Sequence, residues 1–172
     1  MSKAVMLSIR PKWCELIASG KKTIEVRKTR PKLGMPFRCY IYCTLQGCNE
    51  FFRVDLGGDV AKWNRGKWAD RKGNVIGEFI CDRIDRLAPA NEPYGIYDID
   101  DDYVLQTCLE NGALWDYGHG APLYGWHISN LRIYDEAREL SEFTGLRNTR
   151  FGAAPYDIKR APQSWCYVEE AT

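Results

Sequence analysis

Apolar and polar residues alternate along much of the chain, which is the pattern of β-strands with one buried face. Ile24 and Val26 fall on one face of such a strand, and Glu25 and Arg27 fall on the other. Alternation, or a short apolar run bounded by Pro or Gly, predicts strands at residues 4–9, 23–28, 36–44, 75–87, 124–134 and 164–169. The pattern favours one curved sheet or a small barrel of mostly antiparallel strands.

Helical spacing is found in two short segments between these strands. Residues 11–19 carry apolar side chains three and four positions apart, and Gly20 is a natural helix terminator. A second helix is predicted at 100–110, where Asp100 supplies the cap and carboxylates fill the first turn. Helices scattered among more numerous strands indicate an α+β fold in which the helices flank the sheet.

Length and composition fit one soluble domain. The chain has 172 residues, 45% of them hydrophobic and 27% charged, and residues 45–73 look like an irregular insertion. No apolar run is long enough for a membrane span, and the N-terminus lacks the pattern of a secretory signal. Seven cysteines at irregular spacing, including Cys39, Cys43 and Cys48, suit reduced thiols in the cytoplasm rather than zinc or disulfides. No motif for a nucleotide cofactor or a metal occurs, so no cofactor is predicted.

The charges are segregated along the chain although the net charge is only +1. Residues 1–40 hold ten Lys or Arg against two Glu, a balance of +8, and residues 78–120 hold ten acidic residues against two Arg, a balance of −8. Two interpretations remain at this level. The folded protein has a basic face and an acidic face, or the two segments lie side by side and neutralise each other.

The segment most suggestive of chemistry is residues 20–28. Its predicted strand places Glu25 and Arg27 on one face, close to Lys22. A carboxylate flanked by two cations can position a water, protonate a leaving group or hydrogen-bond a base edge. The alternative is a simple Glu25–Arg27 ion pair beside solvated lysines.

Two further polar residues interrupt apolar strands. Glu78 lies among apolar neighbours, so its carboxylate must be paired, solvated or functional. His127, between Trp126 and Ile128, can transfer a proton or hydrogen-bond a base, or it can be satisfied by a backbone partner.

The insertion contains a basic stretch interrupted by tryptophans. Cations suit phosphates and indole rings stack on bases, so the stretch has the composition of a single-stranded nucleic-acid contact. The residues concerned are Lys62, Trp63, Arg65, Lys67 and Trp68. The alternative is a loop whose tryptophans cover the sheet while its lysines stay in water.

The pattern Gly20-x-Lys22-x-x-Glu25-x-Arg27, preceded by residues 7–11, resembles the opening of ASCH domains, which are relatives of the PUA fold. Segments 77–82, 124–131 and 161–169 also resemble parts of bacterial and phage ASCH proteins. The resemblance implies a PUA-like β-barrel with a cleft near the first helix. Members of the family are associated with RNA binding, and some are hydrolases.

One small bacterial member of that family removes the acyl group from N4-acetylcytidine, and its catalytic lysine corresponds to Lys22. Its signature threonine corresponds to Glu25, and a carboxylate cannot replace a hydroxyl nucleophile without a change of mechanism. The resemblance therefore favours binding of RNA, single-stranded nucleic acid or a nucleotide over catalysis. The ligand site it implies comprises Gly20, Lys22, Glu25 and Arg27, with a stacking wall from Trp126, His127 or Trp165.

Three functions can be told apart by the environment of this site. An exposed basic groove favours ligand binding, and charges at such a solvated cleft contribute little to folding. If Lys22 and Glu25 are both buried within hydrogen-bond reach, the favoured function is a hydrolase that acts on an N4-acylated cytidine-type nucleoside or on RNA, with these two residues as a proton-transfer pair. A neutral cleft beside an exposed apolar patch favours a protein-interaction adaptor.

Overall fold

A computed structural model of the chain describes residues 2–45, 71–90 and 95–171. The predicted nucleic-acid contact formed by Lys62, Trp63, Arg65, Lys67 and Trp68 lies outside the described residues, as does Cys48. Within the described ranges, no helix is long and apolar enough to cross a membrane.

Three helices and eight strands occupy the described residues, with a short 3-10 helix at Leu140–Glu142. In chain order they are β1 (Lys3–Ile9), α1 (Pro11–Ala18), β2 (Ile24–Arg27), β3 (Phe37–Cys43), β4 (Val75–Leu87), α2 (Asp101–Thr107), α3 (Asn111–Gly118), β5 (Leu123–Arg138), β6 (Thr144–Thr149), β7 (Gly152–Asp157) and β8 (Trp165–Glu169).

Hydrogen bonds join these strands into one mixed sheet with the order β2-β5-β4-β3-β1-β8-β6-β7. β1 pairs with β3 in parallel and with β8 in antiparallel fashion, and the pairs β2–β5, β6–β7 and β6–β8 are antiparallel. The α+β class is confirmed, and each of the six predicted strands is present. The hydrogen bonds among the described residues do not close the sheet, so the barrel stays a prediction.

Three elements were not predicted from the sequence. The apolar residues of α3 are consecutive rather than spaced with a helical period, and β6 and β7 are rich in Gly, Ala and Thr with a Pro at position 155. The predicted helix at 100–110 is shorter than expected. Asp100 caps α2 by accepting a hydrogen bond from the backbone N–H of Tyr103 at 2.7 Å, but Cys108 adopts a left-handed conformation (φ 54°) that ends it.

The contacts group the chain into two compact units, each assembled from several segments. Unit 1 comprises Met1–Glu15, Arg38–Phe79 and Arg132–Thr172, and unit 2 comprises Leu16–Phe37 and Ile80–Leu131. The core of unit 1 contains buried residues of the four strands β1, β3, β4 and β8 and of the region after the 3-10 helix, including Met6, Tyr40, Val75, Phe143 and Val168. The core of unit 2 contains Val26, Leu87, Tyr97, Leu114 and Leu123. One domain over residues 1–172 stays a prediction.

Gly125 of β5 is required for the close packing of α2 against the β2–β5 pair. An added Cβ would collide with the hydroxyl of Tyr103 and would lie 3.1 Å from Cγ2 of Ile24. We expect Gly125→Ala to destabilise the protein by about 1–3 kcal/mol, because Tyr103 must leave its place in unit 2. Denaturant unfolding measures the change.

Gly112 of α3 provides the matched control for that substitution. An added Cβ at Gly112 would meet no atom within 4 Å, and alanine favours a helix over glycine by about 0.5–1 kcal/mol. Gly112→Ala should therefore leave stability unchanged or raise it. Equal effects of the two substitutions would contradict the packing described here.

Candidate functional site

A tight turn after α1 places Lys22 inside unit 2. Gly20 adopts φ +75°, and the backbone N–H groups of Lys21 and Lys22 both donate to the carbonyl of Leu16 at 3.0 Å. The side chain of Lys22 is 1% exposed, and its Nζ donates to the carbonyl oxygen of Thr107 at 2.6 Å. The ammonium group is thus held by the carboxyl end of α2, far away in sequence.

Lys22, Glu25 and Arg27 form a buried charge cluster, called the signature cluster below. Lys22 Nζ lies 3.4 Å from Oε2 of Glu25, and Arg27 Nη2 lies 2.9 Å from Oε1 of the same carboxylate. The side chains of Glu25 and Arg27 are only 8% and 9% exposed. Each oxygen of Glu25 thus faces one cation, and the three formal charges sum to +1.

The burial of this cluster corrects the expectation of a solvated basic cleft at these side chains. The predicted Glu25–Arg27 ion pair exists, but Lys22 belongs to the same buried group instead of lying in water. Buried charges that lose a partner are strongly destabilising. We therefore expect these residues to contribute strongly to the stability of the fold, whereas the sequence predicted a small contribution.

The pairing of β2 with β5 separates two residues that the sequence had grouped in one stacking wall. Glu25 lies opposite Trp126, and Ile24 lies opposite His127. Directly opposed residues of an antiparallel pair share a face, so Trp126 is on the face of Glu25 and His127 is on the other. Trp126 is fully buried and packs edge-on against Phe37 at a centroid distance of 5.9 Å. Its stacking on a ligand stays a prediction.

His127 takes part in a polar group on the other face of the pair. Its Nε2 lies 2.7 Å from Oδ2 of Asp85, which also accepts from Nη2 of Arg83 at 3.0 Å. Burial alone would raise the pKa of Asp85, but the hydrogen bonds with His127 and Arg83 outweigh it and the pKa is lowered. Burial, and after it the Asp85 charge, raises the pKa of Tyr103 beside this group. His127 therefore has a side-chain partner.

Trp165 lies in unit 1, whereas Lys22, Glu25, Arg27, Trp126 and His127 lie in unit 2. Its ring packs edge-on against Tyr167 at 5.3 Å, and its side chain is partly buried. A contact between Trp165 and a ligand stays a prediction.

Glu78 of unit 1 is paired, which was one of the three alternatives for it. Arg38 Nη1 lies 2.5 Å from Oε1 of Glu78, and the Tyr134 hydroxyl donates to Oε2 at 2.7 Å. Arg38 also donates from Nε to Oε1 of Glu170 at 3.0 Å. Burial and the hydrogen bond to Glu78 raise the pKa of Tyr134. The two carboxylate oxygens of Glu78 in β4 thus link this strand to β3 and β5 within unit 1.

The oppositely charged segments of the sequence meet in unit 2. The backbone N–H of Thr23 donates to the carbonyl of Gln106 at 3.0 Å, next to the contact between Lys22 and Thr107. Strand β2 of the basic segment thus packs beside helix α2 of the acidic segment, and the choice between the two interpretations of the charge pattern stays a prediction. Sequence reasoning missed Thr107 because a backbone carbonyl carries no residue-type signal.

Comparison with known proteins finds a family match in the region of the signature cluster and a similar fold for the chain. The ASCH domain family model matches residues 7–42, which include the end of β1, α1, the signature cluster and most of β3. A crystal structure of ASCH from Zymomonas mobilis has a TM-score of 0.52 over 97% of this chain and 88% of its own, at 18% identity. The chain therefore matches the ASCH domain family over residues 7–42, and its fold is similar to that of this ASCH structure.

Two variants of the same Zymomonas mobilis ASCH protein share the fold of this chain. A tyrosine-to-phenylalanine variant has a TM-score of 0.55 at 17% identity, covering 98% of this chain and 92% of its own. A serine-to-alanine variant has a TM-score of 0.52 at 18% identity, covering 97% and 89%. No curated protein matches this chain in sequence.

The signature cluster brings together two groups that can take part in acid–base chemistry. A carboxylate and an ammonium group lie side by side away from water, where electrostatic interactions are stronger than in solvent. Among residues 2–45, 71–90 and 95–171, no group of three or more His, Cys, Asp or Glu is placed to hold a metal ion.

Proposed function

We propose that this protein is a hydrolase that removes an acyl group from the base of a nucleoside, with Lys22 and Glu25 as the proton-transfer pair. The observation that supports this function best is the 3.4 Å contact between Lys22 Nζ and Glu25 Oε2 in a site where both side chains are less than one tenth exposed. Such burial is the condition that favoured a hydrolase over a simple binding groove.

The hydrolysis needs a base for the attacking water and an acid for the leaving amine. Glu25 takes a proton from water as its oxygen adds to the acyl carbonyl carbon. The C–N bond then breaks, and Lys22 gives a proton to the departing exocyclic nitrogen. The products are a carboxylic acid and a free amino base, and the proton held by Glu25 passes to Lys22 across their contact to restore the starting state.

Arg27 is a positioning residue in this scheme. Its contact with Oε1 of Glu25 leaves Oε2 directed at Lys22. In the small bacterial hydrolase that this region resembles, a threonine corresponds to Glu25, and the carboxylate here makes water, rather than a protein hydroxyl, the nucleophile. The difference from that enzyme is therefore a change of mechanism that the same two positions can carry out.

A second candidate function is binding of RNA or a nucleotide without chemistry. It is favoured because the charged side chains of the signature cluster already have partners within the protein. The carbonyl of Thr107 accepts a hydrogen bond from Lys22, and Arg27 forms an ion pair with Glu25. Ion groups satisfied in this way also occur as purely structural elements. In that case the cluster supports strand β2, and the ligand binds outside it.

A substrate screen tests the proposed hydrolase. The purified protein is incubated with N4-acetylcytidine, with other N-acylated nucleosides and with an unmodified RNA oligonucleotide, and the products are separated by chromatography. We expect the free base amine and the carboxylic acid in equal amounts from at least one acylated nucleoside. Binding without any product supports the second candidate, and cleavage of the unmodified RNA contradicts the proposed reaction.

A further inference from the structure

Three consecutive residues after α1 contact three consecutive residues at the end of α2, in reverse order. The middle contact is the hydrogen bond from Lys22 Nζ to the carbonyl of Thr107 at 2.6 Å. On either side of it, the backbone N–H of Thr23 donates to the carbonyl of Gln106 at 3.0 Å, and the thiol of Cys108 donates to the carbonyl of Lys21 at 3.5 Å. These two short segments of unit 2 are called the clasp below.

The hydroxyl of Thr107 shapes one side of the clasp. Thr107 is fully buried, and its Oγ1 lies 3.0 Å from the carbonyl oxygen of Val104 and 3.3 Å from that of Leu109, so its one proton is donated to either oxygen. Oγ1 also accepts a hydrogen bond from the backbone N–H of Leu109 at 3.2 Å. The hydroxyl therefore links the chain on both sides of the Thr107 carbonyl.

The Thr107 carbonyl needs a donor from outside its helix. The last four carbonyls of an α-helix have no partner within the helix, and Cys108, with φ 54°, ends α2 directly after Thr107. Lysine side chains can satisfy such carbonyls, and the negative end of the helix dipole favours their charge. Because Lys22 is that donor here, the direction of the carbonyl affects where the ammonium group lies relative to Glu25.

We propose that Thr107 is a positioning residue for Lys22. Its hydroxyl fixes the direction of its own carbonyl, and the carbonyl holds the ammonium group within reach of Glu25. In this scheme Thr107 acts through Lys22 and not on the substrate itself. The inference rests on the proposed hydrolase for its effect on turnover, but the position of the ammonium group is measurable without any substrate.

Thr107→Val removes the hydroxyl and keeps the branched shape of the side chain. A methyl group then faces two carbonyl oxygens, and the N–H of Leu109 loses its acceptor, so the turn must rearrange. We expect kcat for N4-acetylcytidine to fall about 10- to 100-fold, because misplacing a reacting group by about 1 Å costs up to that factor, and KM to change much less. Thr107→Ser keeps the hydroxyl and should restore kcat close to the parental value.

The ammonium group itself gives a second readout that needs no turnover. Burial protects the ammonium protons of Lys22 from exchange with water, so they are followed by NMR in protein with isotope-labelled lysine. The signal is assigned by its absence in Lys22→Met. We expect it to shift in Thr107→Val and to return to the parental position in Thr107→Ser. A general loss of stability would not move this signal in the folded protein.

Thr149→Val is the matched control. Oγ1 of Thr149 also accepts from the backbone N–H two residues further along the chain, that of Phe151, at 3.2 Å. This residue lies in β6 of unit 1, outside the clasp. The variant should leave both kcat and the Lys22 signal unchanged. Melting curves verify that each variant is folded, and Thr107→Ala, which places no methyl group against the carbonyls, replaces Thr107→Val if that variant does not fold.

The outcomes separate the positioning role from the proposed reaction. If the folded Thr107→Val variant keeps the parental kcat and the parental Lys22 signal, the positioning role is overturned and the proposed hydrolase stands. A fall in kcat without a change of the signal, or without rescue by Thr107→Ser, also overturns it, since the effect then does not pass from the hydroxyl to Lys22. If the parent hydrolyses no acylated nucleoside but the signal moves in Thr107→Val and returns in Thr107→Ser, the positioning role is supported and the proposed reaction fails.

Discussion

Glu25→Gln is expected to lower the free energy of unfolding by about 3–5 kcal/mol, the cost of breaking a buried ion pair from one side. The reason is the charge balance of the signature cluster. Removal of the carboxylate leaves Lys22 and Arg27, two buried cations, around a neutral amide. Lys22→Met instead leaves the Glu25–Arg27 pair intact and takes one hydrogen bond from Thr107, so it should cost about 1–3 kcal/mol.

Denaturant unfolding of these two variants tests this order of effects. The control is Glu78→Gln in unit 1, where Arg38 keeps Glu170 as a partner, so a single unbalanced cation is not left behind. We also expect the double variant Lys22→Met/Glu25→Gln to be more stable than the sum of its parts, because it restores the original formal charge. Two results would show that the cluster is not buried as described. Either the changes in unfolding free energy of the two single variants simply add in the double variant, or Glu25→Gln is as stable as the parent.

The sequence predicted those parts of the fold that local patterns determine. Alternation of Ile24 and Val26 with Glu25 and Arg27 identified β2, and Gly20 marked the end of α1. The β6–β7 hairpin escaped prediction because its strands hold few apolar residues and form by pairing with each other and with β8. Tertiary context decides such strands more than residue preference does.

The identity of the signature residues followed from the sequence, but their environment did not. Lys22 is buried because its ammonium group meets the carbonyl of Thr107, 85 positions further along the chain, and no local pattern encodes that contact. The placement of Trp126 and His127 on opposite faces of β5, in contrast, could have been predicted from the sequence. Adjacent residues of a strand point to opposite faces, so the predicted strand at 124–134 already contained the signal.

Lys22→Met is expected to lower kcat for the acylated substrate about 100- to 10,000-fold, the usual contribution of one general acid or base. The leaving amine then has no proton donor, and Glu25 has no partner to which it can return the proton. Binding of the substrate should change much less, because the methionine keeps the length of the side chain and the Glu25–Arg27 pair survives. This variant is a cleaner test than Glu25→Gln, whose large effect on stability would itself reduce activity.

The most direct test of the proposed catalytic centre compares kcat for Lys22→Met with kcat for Lys21→Met. The two substitutions are chemically identical and adjacent, but Lys21 is exposed and Lys22 is buried in the signature cluster. Both are assayed below the onset of unfolding, with substrate affinity measured in parallel. We predict a loss of at least about 100-fold for Lys22→Met and parent-like turnover for Lys21→Met. Equal turnover of the two folded variants would contradict the assignment of the signature cluster as the catalytic centre.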